Sequence, residues 1–269
     1  MTTGLYFIAN DHVYDLAIAF LNSIRIYEPL LPLCLIPYND HSAQIVALAN
    51  EYQFTVWQDR DTLRRCDAIS KQFHGAVLGQ YRKLAIWEGL YDQFAYIDVD
   101  TVLLNGIDIP LKMLDDFDFL TATSDLPAIR KYVWKDSLPP SAQAVDSKYA
   151  ANTGILFSKR EMLTMANIER KLDEALQLAP YMELKCAEQA LLNYLIVTSG
   201  RRYSSLSRIC RERNRKDIPQ AVWSGDFDGD LLKRRLPALV LHWAGQWQGG
   251  EHLTSPVWRY FRHSRDDCR

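Results

Sequence analysis

Two aspartates separated by one residue, Asp98 and Asp100 around Val99, stand between the apolar runs Phe94-Ala-Tyr-Ile97 and Thr101-Val-Leu-Leu104. Carboxylates in that setting are costly to bury unpaired, so a partner is expected. A hard divalent cation suits them, because Mg2+ and Mn2+ take oxygen ligands and bridge protein carboxylates to phosphate oxygens. The Asp98-Val99-Asp100 element is therefore the first candidate for a metal and phosphate site. A bare Asp-x-Asp also marks ordinary loops, and it is the strand context that separates the two readings.

The elements that must position these carboxylates follow from the pattern of apolar residues. Gly4–Ala9, Leu33–Ile36, Phe54–Trp57 and Phe94–Ile97 read as short buried strands. Val13–Tyr27 carries apolar residues at helical spacing and is ended by Pro29 and Pro32, and Ser42–Tyr52 looks helical. Alternating strands and helices predict a parallel sheet covered on both faces, with ligands beyond the carboxyl ends of its strands. Asn10 and Asp11, Tyr38–Asp40, Gln58 and Asp59, and Asp98 itself occupy such ends. Further along, helices are expected over Arg82–Tyr91, Leu111–Asp115, Glu161–Leu178 and Ala187–Val197. Strands are expected over Phe117–Thr123, Ile155–Ser158 and Ala238–Leu241. Ser124–Ala151 reads as a long loop, of the kind that serves as a substrate lid or stays disordered. No repeat, low-complexity segment or linker divides the chain.

Tyr81-Arg-Lys-Leu84, a helix, and then Ala95-Tyr-Ile-Asp-Val-Asp-Thr-Val-Leu-Leu104 resemble the central motif of GT-A glycosyltransferases, especially those of family 8. The resemblance implies an α/β, Rossmann-like GT-A fold with a mostly parallel central sheet flanked by helices. It implies a single domain over 1–269 with a C-terminal extension, the nucleotide-binding half over about 1–105 and the acceptor-side half over about 106–269. The implied activity is transfer of a sugar from a nucleotide-sugar, UDP-linked, with retention and with Mn2+ or Mg2+ as cofactor. The acceptor, whether saccharide, lipid-linked or protein, is left open.

The same resemblance assigns roles along the chain. Arg82 and Lys83 become phosphate or sugar contacts. Asn152-Thr-Gly154 is similar to the family's Asn-x-Gly, with Asn152 offering a donor and an acceptor to sugar hydroxyls and Gly154 letting the backbone pass close to a ligand. Glu188-Gln189 stands where members have Asp-Gln, near the anomeric carbon. His242-Trp-Ala-Gly245 resembles the C-terminal His-x-x-Gly, making His242 a third metal ligand and Gly245 part of the donor site. Gln248 departs from the family, which carries a phosphate-gripping Lys there. Asn10, Asp11 and Tyr14 resemble the contacts to base and ribose.

Taken one at a time, these residues have plainer readings: a solvated helix end for Arg82 and Lys83, a turn for Asn152, a helix start for Glu188, a structural histidine, a core tyrosine. Their joint order carries the argument. Two other classes compete. Asp98-Val-Asp-Thr-Val102 also looks like the opening motif of haloacid-dehalogenase-type phosphatases, with Asp98 as nucleophile and Mg2+ assisting. That motif normally lies on the first strand, whereas three expected strands precede Asp98, and Asp115-Asp116 and Asp266-Asp267 are poorly placed for its later acids. A non-catalytic nucleotide-sugar binder is the third reading, supported by Gln248.

Composition narrows the setting. With 48% hydrophobic and 24% charged residues and a net charge of -2, the chain is an ordinary globular protein with no general attraction to nucleic acid. Arg201 to Lys216 is locally basic and could meet an anionic acceptor, donor phosphate or a membrane surface, although a solvated face is the simpler expectation. Trp243, Trp247 and Trp258 could form a sugar platform or belong to the core. The five scattered cysteines form no Cys-x-x-Cys, so free thiols in a reducing cytoplasm are expected and a zinc site is not. No basic region precedes the first apolar run, so no secretory leader is expected.

Overall fold

The computed structural model describes residues 1–125, 127–139, 142, 149–226 and 237–265. Ten strands are defined among them: β1 Thr3–Ala9, β2 Leu33–Pro37, β3 Phe54–Val56, β4 Gln93–Ile97, β5 Thr101–Leu103, β6 Phe119–Thr121, β7 Ile155–Lys159, β8 Tyr203–Ser205, β9 Gln220–Trp223 and β10 Ala238–His242. Seven form a central sheet in the order β3-β2-β1-β4-β7-β6-β8. Its pairs are parallel except β4 with β7 and β6 with β7. The remaining three form a small sheet, β5-β10-β9.

The period-two alternation of side chains explains why both faces of the central sheet are covered. Tyr6, Ile8, Cys34, Ile36, Phe94, Tyr96 and Leu156 point into one apolar cluster, shared with the helix Arg60–His74 and the 3-10 run Gly79–Glu88. Leu5, Phe7, Leu33, Leu35, Ala95, Ile97, Ile155 and Phe157 point into the other, shared with the helix Tyr14–Tyr27. A third cluster backs the small sheet with Val102, Val222, Leu241, Trp243 and, from the helix Pro256–His263, Trp258 and Phe261.

Several elements differ from their sequence expectation. The helix Arg60–His74 was not anticipated, although Asp59 caps it through Asp61 N and Thr62 N and Gly75 ends it at φ 68°. The expected helix Arg82–Tyr91 is instead the 3-10 run Gly79–Glu88, in which neighbours lie a third of a turn apart, so Arg82 and Lys83 face different surroundings. Glu161–Leu178 is interrupted: Thr164 accepts from Asn167 N and starts a separate helix, Met165–Arg170, followed by Leu172–Leu178. Ser42–Tyr52 is likewise two short helices, Ala43–Ala47 and Ala49–Tyr52. Of the expected loop Ser124–Ala151, the described part includes the short helix Pro127–Arg130 and a bridge between Ser124 and Ala151. Trp243 and Trp258 are 2% and 5% exposed, so these two belong to the core rather than to a sugar platform. No helix among the described residues is long and apolar enough to cross a membrane.

Candidate active site

The register of two strands builds the centre of the site. β4 runs antiparallel to β7 with Ile97 opposite Ile155, and the next step pairs Asp98 N with Gly154 O at 2.8 Å. After Asp100 the chain leaves the central sheet and enters β5, where Thr101 lies opposite His242 on β10. Trp243 N donates to Asp100 O at 2.9 Å, and Thr101 Oγ1 donates to Asp98 O at 2.7 Å. The junction of the two sheets thus gathers Asp98, Asp100 and His242, each with one ligand atom within 4.8 Å of the others.

Three observations fit these residues to a divalent cation. Asp100 Oδ1 is buried without a hydrogen-bond partner, a costly state that coordination would relieve. His242 Nε2 stands 3.2 Å from Asp100 Oδ1, close enough for attraction without forming an aligned hydrogen bond. Gly154 leaves the cradle open: a Cβ there would lie 2.6 Å from Asp98 Oδ2 and 2.8 Å from His242 Cε1. Two carboxylates and an imidazole are a donor set that Mn2+ or Mg2+ accepts, Mn2+ with the greater tolerance for nitrogen.

The charges are mutually tuned. Burial pushes the Asp98 carboxyl up, opposed by Lys83 and reinforced by Asp100. Burial acts the same way on Asp100, but the charge of His242 holds it below the ordinary carboxylate range. Burial opposes charging His242, and the Asp100 carboxylate outweighs it, moving the imidazole up. For Lys83 too, desolvation is outweighed by Asp98 and Glu188, so its ammonium stays charged.

Lys83 connects this centre to a second group of predicted residues. It is 3% exposed and its Nζ lies 2.5 Å from Glu188 Oε1, 3.1 Å from Thr153 O and 3.6 Å from Asp98 Oδ1. It also sits 4.5 Å above the centre of the Tyr96 ring, whose hydroxyl donates to Asp98 Oδ1 at 2.5 Å. Thr153 Oγ1 donates to Glu188 Oε1, and Thr153 N and Asn152 Nδ2 both donate to Gln189 Oε1. Asn152 Oδ1 accepts from Gly154 N at 3.0 Å. Lys83, Asp98, Asn152, Glu188 and Gln189, more than a hundred residues apart at the extremes, therefore form one hydrogen-bonded assembly.

Three supporting roles, those of Asn193, Ala187 and Tyr96, escaped the sequence reading. Asn193, fully buried, clamps Ala151 by accepting from its N–H at 2.8 Å and donating to its carbonyl at 2.9 Å. Ala187, immediately before Glu188, holds φ 49° and ψ -113°, a strained conformation for a residue with a Cβ. Tyr96 could have been found, because residues two apart on a strand share a face. Ala187 left no signal of its kind.

Other predicted residues lie apart from the assembly. Arg82 is bound bidentately to Asp67 at 2.9 and 2.8 Å and to Pro37 O at 2.7 Å. It borders a cleft of about 640 Å³ with Asn39, Asp40, Trp57 and Arg64. Asp11 Oδ1 accepts from Gln44 N and Ile45 N, so it caps the helix Ala43–Ala47, and Asn10 Oδ1 accepts from His12 N. Tyr14 begins the helix Tyr14–Tyr27 and packs partly buried against the core. Gly245 adopts φ 74° and starts the 3-10 turn Gln246–Gly249 that carries the exposed Gln248. In the basic stretch, Arg202 pairs with Asp118, Arg208 with Asp125 and Glu212, Arg213 with Asp116 and Arg215 with Asp217.

No family profile and no curated protein matches the chain. Solved structures do. The galactosyltransferase LgtC, determined with donor and acceptor sugar analogues, is 15% identical, aligns over 97% of this chain and 95% of its own, and gives a TM-score of 0.59. The bifunctional glycosyltransferase WbbM is 13% identical at TM-score 0.57, covering 91% of this chain and 46% of that one. Mouse xyloside xylosyltransferase 1 is 11% identical at TM-score 0.53, covering 90% and 96%. The near end-to-end superposition, with the seven-stranded sheet and its flanking helices, shows that this chain has the GT-A fold.

Proposed function

We propose that this chain is a metal-dependent glycosyltransferase that moves a sugar from a UDP-sugar to a saccharide acceptor with retention. The observation that carries the reading is the Asp98–Asp100–His242 cluster at the junction of the two sheets, with the unpaired buried Asp100 Oδ1 and the open cradle of Gly154. A fold shared with glycosyltransferases sets the context but does not by itself supply an activity.

Asp98, Asp100 and His242 would hold Mn2+ or Mg2+, which when bound offsets charge on a nucleoside diphosphate leaving group. The chain's own residues do the rest. Lys83 keeps a fixed positive charge beside Asp98, and its three contacts leave it little freedom to move. Gln189 Oε1 fixes the turn through Asn152 and Thr153, so Asn152 is presented in one orientation. Preorganised dipoles of this kind are worth most where water is excluded. The phosphatase reading gains nothing here: Asp98 follows the fourth strand of the chain, in the middle of the sheet order, and Asp266 and Asp267 lie outside the described residues.

The test is direct. UDP-glucose and UDP-galactose are incubated with the protein, with and without Mn2+, and UDP release is measured in the presence of simple saccharides, with the anomeric proton of any product read by NMR. Mn2+-dependent release and an axial product linkage from these α-linked donors are expected. Release independent of metal, or an inverted product, contradicts the corresponding part of the reading.

A further inference from the structure

Among the described residues, no protein group supplies His242 with the hydrogen bond that ordinarily fixes a metal-binding histidine. Such a ring normally donates from its second nitrogen to a carboxylate, a carbonyl or a water. His242 is 2% exposed, and among the described residues no protein group bonds its Nδ1. Its Nε2 faces Asp100 Oδ1, which is itself part of the candidate cation site.

What meets the ring instead is the half-buried indole of Trp223, stacked on it with centroids 5.1 Å apart and planes 25° apart. The placement is built into the small sheet. His242 and Trp223 are register partners on β10 and β9, so their side chains share a face. Ser224 Oγ bonds Gln246 Oε1, which ties the end of β9 to the turn that follows His242. On its Cε1 edge the ring faces Gly154, where a Cβ would come within 2.8 Å of it.

We propose that Trp223 is a positioning residue for the cation site, its stacked indole fixing the His242 ring, whose Nδ1 no described protein group bonds. The inference rests on the metal-dependent reading above. It makes β9 a functional element and not merely the edge of the small sheet.

The test uses the full chain and Mn2+ alone, with free ion followed by its electron paramagnetic resonance signal. Outer partners of metal-binding histidines typically cost 10–100-fold in affinity when removed. Trp223→Leu is therefore expected to weaken Mn2+ binding by about tenfold or more. Trp223→Phe, which keeps a stacking face, should stay within roughly threefold of wild type. Wild-type affinity in a Trp223→Leu protein that melts normally overturns the proposal, and so does an equal loss in both variants. A second readout holds even where Trp223→Leu fails to fold: Mn2+ should quench part of the wild-type tryptophan emission, and that part should be missing in Trp223→Phe. Unchanged quenching in Trp223→Phe overturns the proposal. Asp100→Ala separates the two levels. Mn2+ binding that survives it overturns the cation site and this inference together, whereas loss in Asp100→Ala with no effect of Trp223 overturns only the inference.

Discussion

Lys83 and Glu188 are each 3% exposed and lie 2.5 Å apart, so neither can lose its partner cheaply. Truncating one member of a buried pair leaves the other charge uncompensated, typically at about 3–5 kcal/mol. Lys83→Met should therefore lower the urea unfolding free energy by about that amount. The double variant Lys83→Met/Glu188→Leu should cost less than the sum of the two singles, and additivity would show that the pair is not coupled. Gly154 makes a different point. Its importance is space and not a left-handed backbone, since a Cβ would strike Asp98 Oδ2 and His242 Cε1. Gly154→Ala is predicted to lose Mn2+ affinity by more than about tenfold while costing only about 1–3 kcal/mol of stability, the range for overpacking. Unaltered Mn2+ binding in that variant would mean that the ligands can shift aside without loss.

At the scale of elements, Asp118 holds the outer strands of the sheet in place. Its carboxylate accepts from Arg202 N at 3.0 Å and pairs with Lys159 and Arg202 side chains. Partial burial pushes its carboxyl up, but these bonds prevail and hold it at about 2, against 3.8 for an ordinary Asp. A depressed carboxyl contributes stability that is complete above the unfolded value and disappears as pH falls through the folded one. The contribution, up to about 2 kcal/mol and reduced by the exposure of Arg202, should thus be lost between about pH 4 and pH 2. The stability gap between wild type and Asp118→Asn should close over that window; a gap that persists below it contradicts the assignment. The helix Arg60–His74 offers a second check, because Asp59→Ala removes its N-cap and should cost about 1 kcal/mol in thermal or urea unfolding. This helix was also the largest element that the sequence reading passed over. Leu63, Cys66, Ile69, Ser70 and Phe73 form its buried stripe, but six charged side chains among its fifteen residues mask the pattern. The strands β1, β2, β4 and β7 were legible because both their faces are apolar. β9 was not, because its half-buried residues alternate too weakly to stand out.

The whole molecule is a device for bringing distant segments to one place. Asp98 and Asp100 were legible as chemistry from their type and setting alone, whereas His242, Asn152, Glu188 and Gln189 became candidates only through their joint order. The bonds that join Lys83, Asn152–Thr153 and Glu188–Gln189 could not be read from spacing, since they span 35 to 105 residues of chain. The small sheet is the part of the architecture that completes the site, because β10 brings His242 across from the far end of the chain to face Asp100. The central claim is that this junction binds a nucleoside diphosphate through a divalent cation. Calorimetric titration of UDP and of GDP, with and without Mn2+, into wild type and Asp100→Ala tests it most directly. The account predicts UDP binding that requires Mn2+ and disappears in Asp100→Ala. Nucleotide binding that is indifferent to both metal and Asp100, or no nucleotide binding under any condition, would contradict it.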